Sequence, residues 1–200
     1  MSYSEILNKI PVVKSTLSLW LRSVGLSKRQ KQRLTEKKIM AMRRGWLKVK
    51  ELRLERTKKI RKSAEKESIS LIKNSFWVSG AMLYWAEGRK QKENNISQGV
   101  VFSNSDSNMI LLFRDWLFKF CDIKNEDLFY ELFIHKSANL NKALKFWSEK
   151  ISIQPERIRI YLKKNEIKTK RYNTGNDYNG VIRICVFRST DLNRRISSWI

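Results

Sequence analysis

Apolar residues in the first part of this chain recur at helical spacing, broken where proline or glycine intervenes. Ser4 can cap a short helix carrying Ile6, Leu7 and Ile10 on one side. Ile10-Pro11-Val12 ends it, because proline cannot continue a helix and restricts the residue before it. The spacing predicts a second helix starting between Val13 and Ser15, with Leu17, Trp20 and Leu21 as its buried side, Gly25 closing it and Ser27 capping the next helix. From Ser27 to Ser75 the composition is helical, and Leu34, Met42, Trp46, Val49 and Ile60 form a thin apolar stripe to either side of Gly45. The next run, Phe76 to Ala86, is apolar almost throughout and stops at Glu87-Gly88. If it is a helix, Glu87 adds negative charge where the helix dipole is already negative, which is locally unfavourable.

After Gly88 the pattern changes. "GVVFSNSD" reads as a strand running into a helix cap, and the helix after it faces a core with Met109, Leu112, Phe113, Trp116, Leu117 and Phe120. "DLFYELFIHK" and "RIRIYLKK" alternate at period two, as half-buried strands do, with the amphipathic helix "NLNKALKFWSEKI" between them. A polar loop leads to a further strand, "GVIRICVF", and a capped helix, "STDLNRRISSWI". Two internal echoes run through this region. "GVVFSNSDSNMILLFRDWL" echoes "GVIRICVFRSTDLNRRISSWI", and "FKFCDIKNEDLFYELFIHK" echoes "FWSEKISIQPERIRIYLKK". Helices alternating with one-sided strands imply an α+β unit whose sheet is covered by helices on one face. The expected organisation is a pair of short helices in residues 1–27, a basic helical connector in 28–75 and the α+β domain in 76–200.

Charge sharpens the picture. The net charge is +23, and residues 1–75 carry 21 Lys/Arg against 6 Asp/Glu. Such an excess points to an acidic polymer as partner, nucleic acid being the commonest. No apolar run approaches the ~18–20 residues of a membrane span, so the expectation is a cytoplasmic protein with no membrane partner. Cys121 and Cys185 sit in apolar contexts and read as reduced core thiols; the single histidine, His135, excludes a histidine-based metal site or catalytic triad.

Three surfaces are candidates for contact with double-stranded DNA. The polar side of the second helix reads Lys14, Ser15, Thr16, Ser18 and Arg22, short hydroxyls that can approach base edges between cations that reach phosphates. Lys28 and Arg29 open the basic connector, which can track phosphates. The uncovered face of the sheet carries Arg157, Arg159 and Arg183.

The segment "PVVKSTLSLWLR" resembles the helix-turn-helix of resolvase- and transposase-type DNA-binding domains. The segment "GAMLYWAEG", Gly80 to Gly88, resembles the nine-residue motif of the LAGLIDADG homing endonucleases, and the order of elements after it is similar. That resemblance, over residues 76–200, implies motif helices packed side by side in a homodimer. It also implies Glu87 as the catalytic acid, Glu87 with Gly88 at a Mg²⁺ site, and a basic residue near the acid, for which Lys163 and Lys164 are the candidates. Here Met82 stands in the place of a motif glycine, and Tyr84 and Trp85 are bulky where the motif helices pack closely. The resemblance implies one of two functions. One is a sequence-specific DNA-binding protein, such as a transcriptional regulator, that keeps the scaffold without cutting. The other is a Mg²⁺-dependent homodimeric DNA endonuclease.

Overall fold

Ser2, rather than Ser4, starts the first helix. Its hydroxyl accepts from the Glu5 N–H at 3.3 Å, while the Glu5 carboxylate accepts from the Ser2 N–H at 2.8 Å, a reciprocal cap that fixes α1 (Tyr3–Leu7). The structure is a computed structural model and describes residues 1–24, 28–92, 95–163 and 178–200. α2 (Lys14–Trp20) buries only Leu17; Trp20, expected inside, is 57% exposed, because the helix ends at that residue and no further turn covers the ring. Gly25 and Ser27 lie outside the described residues.

α3 (Lys28–Leu71) runs unbroken through Gly45. Two compact units, Met1–Arg56 and Thr57–Ile200, divide within it, not at residues 27 and 75 as the sequence suggests. The reason is packing. Ala64 is fully buried in the second core and Leu71 packs against it, while Glu67 accepts from Arg195 Nε at 2.8 Å and from the Trp199 indole at 3.3 Å. In the first unit, the Glu5 carboxylate meets Lys37 and, at 3.8 Å, Arg33. Lys37's hydrogen bond, then that of the Ser2 amide, lowers the Glu5 pKa to about 2. A depressed carboxylate stabilises the fold above its unfolded value of about 4.5, and the contribution is lost as pH falls toward 2. Thermal unfolding of Glu5→Gln and the parent chain should therefore differ near neutrality and converge in acid; a gap unchanged by pH would refute the linkage.

α4 (Ser75–Glu87) is capped by Asn74, whose side chain accepts from the Trp77 N–H at 3.1 Å. Trp77, Gly80, Ala81 and Tyr84, at i, i+3, i+4 and i+7, form its buried side. α5 (Ser107–Phe120) packs against it through Phe113, Trp116 and Leu117. On α5 the inward residue one turn earlier is Ile110, fully buried, whereas Met109 is 41% exposed.

The sheet comprises β1 (Val101–Asn104), β2 (Leu128–His135), β3 (Ile158–Lys163) and β4 (Val181–Val186), in the order β1-β4-β2-β3. β4 pairs antiparallel with β1 and β2, and β2 pairs parallel with β3. Leu128, Tyr130, Leu132 and Ile134 of β2 and Ile182, Ile184 and Val186 of β4 face the helices and are buried. α6 (Leu140–Ile151) connects β2 to β3, as a parallel pair requires, and α7 (Thr190–Trp199) comes after β4.

The second echo in the sequence is an echo in the backbone. α5 and α6 are each followed by a left-handed residue, Asp122 at φ 55° and Ser152 at φ 54°. Each then leads through a 3₁₀ turn, Asn125–Asp127 or Pro155–Arg157, into a strand. Both cysteines are free thiols. Burial pushes Cys121 up to about 12, and burial with the nearby Glu131 charge does the same for Cys185, so neither is an activated nucleophile.

Candidate nucleic-acid interface

In the first unit, burial of Leu17 sets which side of α2 faces water. Lys14, Ser15 and Ser18 are exposed, Arg22 is exposed just past the helix end, and Thr16 is half-buried. Lys28 and Arg29 are exposed in the first turn of α3. Residues 1–56 hold 15 Lys/Arg against 4 Asp/Glu, so these donors stand in a strongly positive field.

In the second unit, α4 ends where the sequence expects. Gly88 closes it in extended backbone, its N–H donating to the Tyr84 carbonyl at 2.8 Å, and bridges to Phe102 beside β1. A side chain at position 88 would meet the Tyr84 ring at 2.3 Å, so only glycine fits. The Tyr84 hydroxyl donates to the Arg89 carbonyl at 2.7 Å. Glu87 is exposed, with no ion pair or hydrogen bond from its carboxylate among the described residues.

The neighbouring helix-end carbonyl, that of Trp85, accepts from the Lys90 ammonium. Among the described residues no three His, Cys, Asp or Glu side chains gather as metal ligands. At this helix end the Tyr84 carbonyl accepts from the Gly88 N–H and the Trp85 carbonyl from the Lys90 ammonium, while the Glu87 carboxylate stays open to solvent. Lys163 ends β3, the edge strand opposite β1, about three strand spacings or ~14 Å across the sheet from the β1 edge that Glu87 adjoins. The two are not brought together, and Lys164 lies outside the described residues. Lys90, which sequence position alone left among the basic residues after Gly88, holds the Trp85 carbonyl at this helix end.

The segment after α4 is held by the start of α7. Asn193, fully buried, donates through Nδ2 to the carbonyls of Arg89 at 3.0 Å and Gly99 at 2.8 Å. The Ser189 hydroxyl accepts from the Val100 N–H at 2.8 Å, and Gln91 donates to the Thr190 carbonyl at 3.3 Å.

The outer face of the sheet carries Arg159 and Arg183, as the alternation predicts, but Arg157 sits in the 3₁₀ turn before β3. Burial pushes the Tyr130 phenol up, and Arg114 and then Arg157 oppose that shift. What the sequence reading missed on this face is aromatic. Arg183 lies 4.2 Å from the Phe133 ring centre, and Phe133 stacks on Tyr161 at 4.9 Å and 8°. Phe129 meets Phe187 at 4.5 Å, with Arg159 over its ring at 5.0 Å. Between the two rows, Glu131 accepts from Arg183 at 3.1 Å and from the Tyr161 hydroxyl at 3.3 Å. In the segment "LFYELFIH", apolar residues fill both phases of the alternation, and that was the available signal.

No helix among the described residues is long and apolar enough to cross a membrane. Comparison with models of known protein families, with curated proteins and with solved structures finds no match to this chain.

Proposed function

We propose that this chain is a sequence-specific double-stranded DNA-binding protein, with α1 and α2 as a helix-turn-helix and residues 76–200 as a LAGLIDADG-like scaffold that does not cut. The observation that carries the reading is the polar side of α2. Lys14, Ser15, Ser18 and the adjoining Arg22 are exposed, in a part of the chain with 15 Lys/Arg against 4 Asp/Glu. Hydroxyls of this length reach base edges, and the flanking cations neutralise phosphates. Lys28 and Arg29 extend the basic surface along α3.

The outward side of α4 supports a homodimer. Met82 and Trp85 are 47% and 58% exposed there, with Ser79 and Ala86 beside them, an apolar strip that a second copy would cover. The unpaired carboxylate of Glu87 is the one feature favouring the endonuclease. Binding is preferred to cutting because Met82 stands in the place of a motif glycine and Tyr84 and Trp85 are bulky where motif helices would pack closely.

The test is selection of duplexes from a random library by the full chain with Mg²⁺ present, scoring enrichment and cut ends together. One enriched, uncut motif is the expected result. Replacing Lys14, Ser15, Thr16 and Ser18 by alanine together should weaken binding to that motif at least about tenfold more than binding to scrambled duplex, two or more base contacts being lost. Equal losses on both duplexes would remove the recognition role from α2. Mg²⁺-dependent cut ends that vanish in Glu87→Ala would replace the binding reading with the enzymatic one.

A further inference from the structure

The outer face of the sheet has a chemistry that duplex recognition leaves unused. Two rows of stacked side chains cross it. One runs Arg183, Phe133, Tyr161 over β4, β2 and β3; the other runs Phe187, Phe129, Arg159 in the same direction. The inner rings, Phe133 and Phe129, are flanked on both sides. Tyr161 and Phe187 each touch one ring only, and they remain 43% and 50% exposed.

Charge on the face is one-sided. Among the described residues, the carboxylate at its centre, Glu131, is already engaged by Arg183 and Tyr161, while Arg159 and Lys163 stay exposed. An open ring face next to uncompensated cations suits a ligand that alternates flat apolar groups with negative charge. A single strand of nucleic acid has that pattern, each unpaired base offering a π-face and each linkage a phosphate. Duplex DNA hides its base faces inside the stack and cannot use the rings. Strand rise and spacing put the two open rings roughly 15–20 Å apart, room for a site of about four nucleotides or more.

We propose that the outer face of the sheet binds an unpaired stretch of DNA, bases stacking on Tyr161 and Phe187 and phosphates pairing with Arg159 and Lys163. DNA is named as the polymer on the strength of the duplex-binding reading of α2; the stacking itself stands without it. Near the rings, the Ser103 hydroxyl accepts from Arg183 Nε and the Tyr161 hydroxyl donates to Glu131.

Anisotropy of fluorescein-labelled dT12, its duplex with dA12, and rU12 tests this on the full chain. Replacing Tyr161 and Phe187 together by alanine should weaken dT12 binding at least about tenfold and duplex binding less than about twofold. Phe187→Ser alone, at an exposed position just past β4, should weaken dT12 binding several-fold without loss of fold. Tyr161→Phe and Phe187→Trp keep a ring and should bind dT12 as the parent does. The fourfold α2 variant should lose affinity for the selected duplex motif and keep dT12, which separates failure of the helix-turn-helix reading from failure of this one. Alanine or serine variants that bind dT12 like the parent, or that lose duplex affinity equally, would overturn the proposal. A preference for rU12 above about tenfold would overturn it too, in favour of RNA.

Discussion

Gly80→Ala should destabilise the protein by about 3 kcal/mol, although alanine is the better helix former. A Cβ at position 80 would lie 2.2 Å from Cδ1 and Cγ of Trp116, closer than any two carbons pack. The indole cannot step aside cheaply. It is fully buried, its Nε1 donates to the Trp77 carbonyl at 3.0 Å, and Phe113, Phe120 and Trp199 flank it at 5.7–6.5 Å. Overpacking of this kind costs about 1–3 kcal/mol or more and outweighs the ~1 kcal/mol that alanine gains over glycine in a helix. Gly45→Ala is the matched control. Nothing lies within 4 Å of its Cβ position in α3, so it should stabilise by roughly 0.5–1 kcal/mol. Chemical unfolding of both variants checks the pair. A Gly80→Ala loss below about 1 kcal/mol would show that α4 and α5 can separate more easily than their packing implies.

Asn193→Asp, nearly isosteric, should cost about 3–5 kcal/mol near neutral pH, more than Asn193→Ala. The amide donates two buried hydrogen bonds, and each buried acceptor stripped of its donor costs about 1–3 kcal/mol. A carboxylate in its place turns both contacts into repulsion between oxygens. Protonation would restore one donor, so the folded state should hold that proton above the ordinary aspartate value of about 3.9. The native state then binds more protons than the unfolded chain, and stability falls as pH rises through the raised pKa. The Asp variant should accordingly recover part of its deficit on acidification, while the Ala deficit stays flat. Melting curves over a pH series decide this; parallel curves for the two variants would rule out the predicted contacts.

Periodicity located most elements of this fold because most of them bury one regular stripe. The alternation in "DLFYELFIHK" became β2, and the apolar run before Gly88 became α4. It failed where tertiary contacts outrank local pattern. Trp20 has helical spacing from Leu17 but no neighbour to cover it, and Ala64, in a stretch that reads as solvated connector, is inside because the second core reaches it. Arg157 has the phase of β3 but lies in the 3₁₀ turn before it. At the candidate site the sequence located the helix end at Glu87-Gly88, since the apolar run stops there and charged residues follow the glycine at once. It could not locate Asn193, which acts 104 residues away on the Arg89 carbonyl, nor the pairing of Lys90 with a helix-end carbonyl. The aromatic rows were half legible: the rings were visible as letters, but their stacking depends on the parallel register of β2 and β3.

The fasteners of the segment after α4 have a consequence in time. Val100 is tied to a residue 89 positions later, Gly99 to one 94 later and Arg89 to one 104 later. While the chain is being synthesised, none of these bonds can exist until Ser189 and Asn193 have been made. α4 and its acidic end therefore leave the ribosome early and wait, half finished, through the synthesis of four strands. The part of the molecule with the most distinctive sequence is the last that folding can complete.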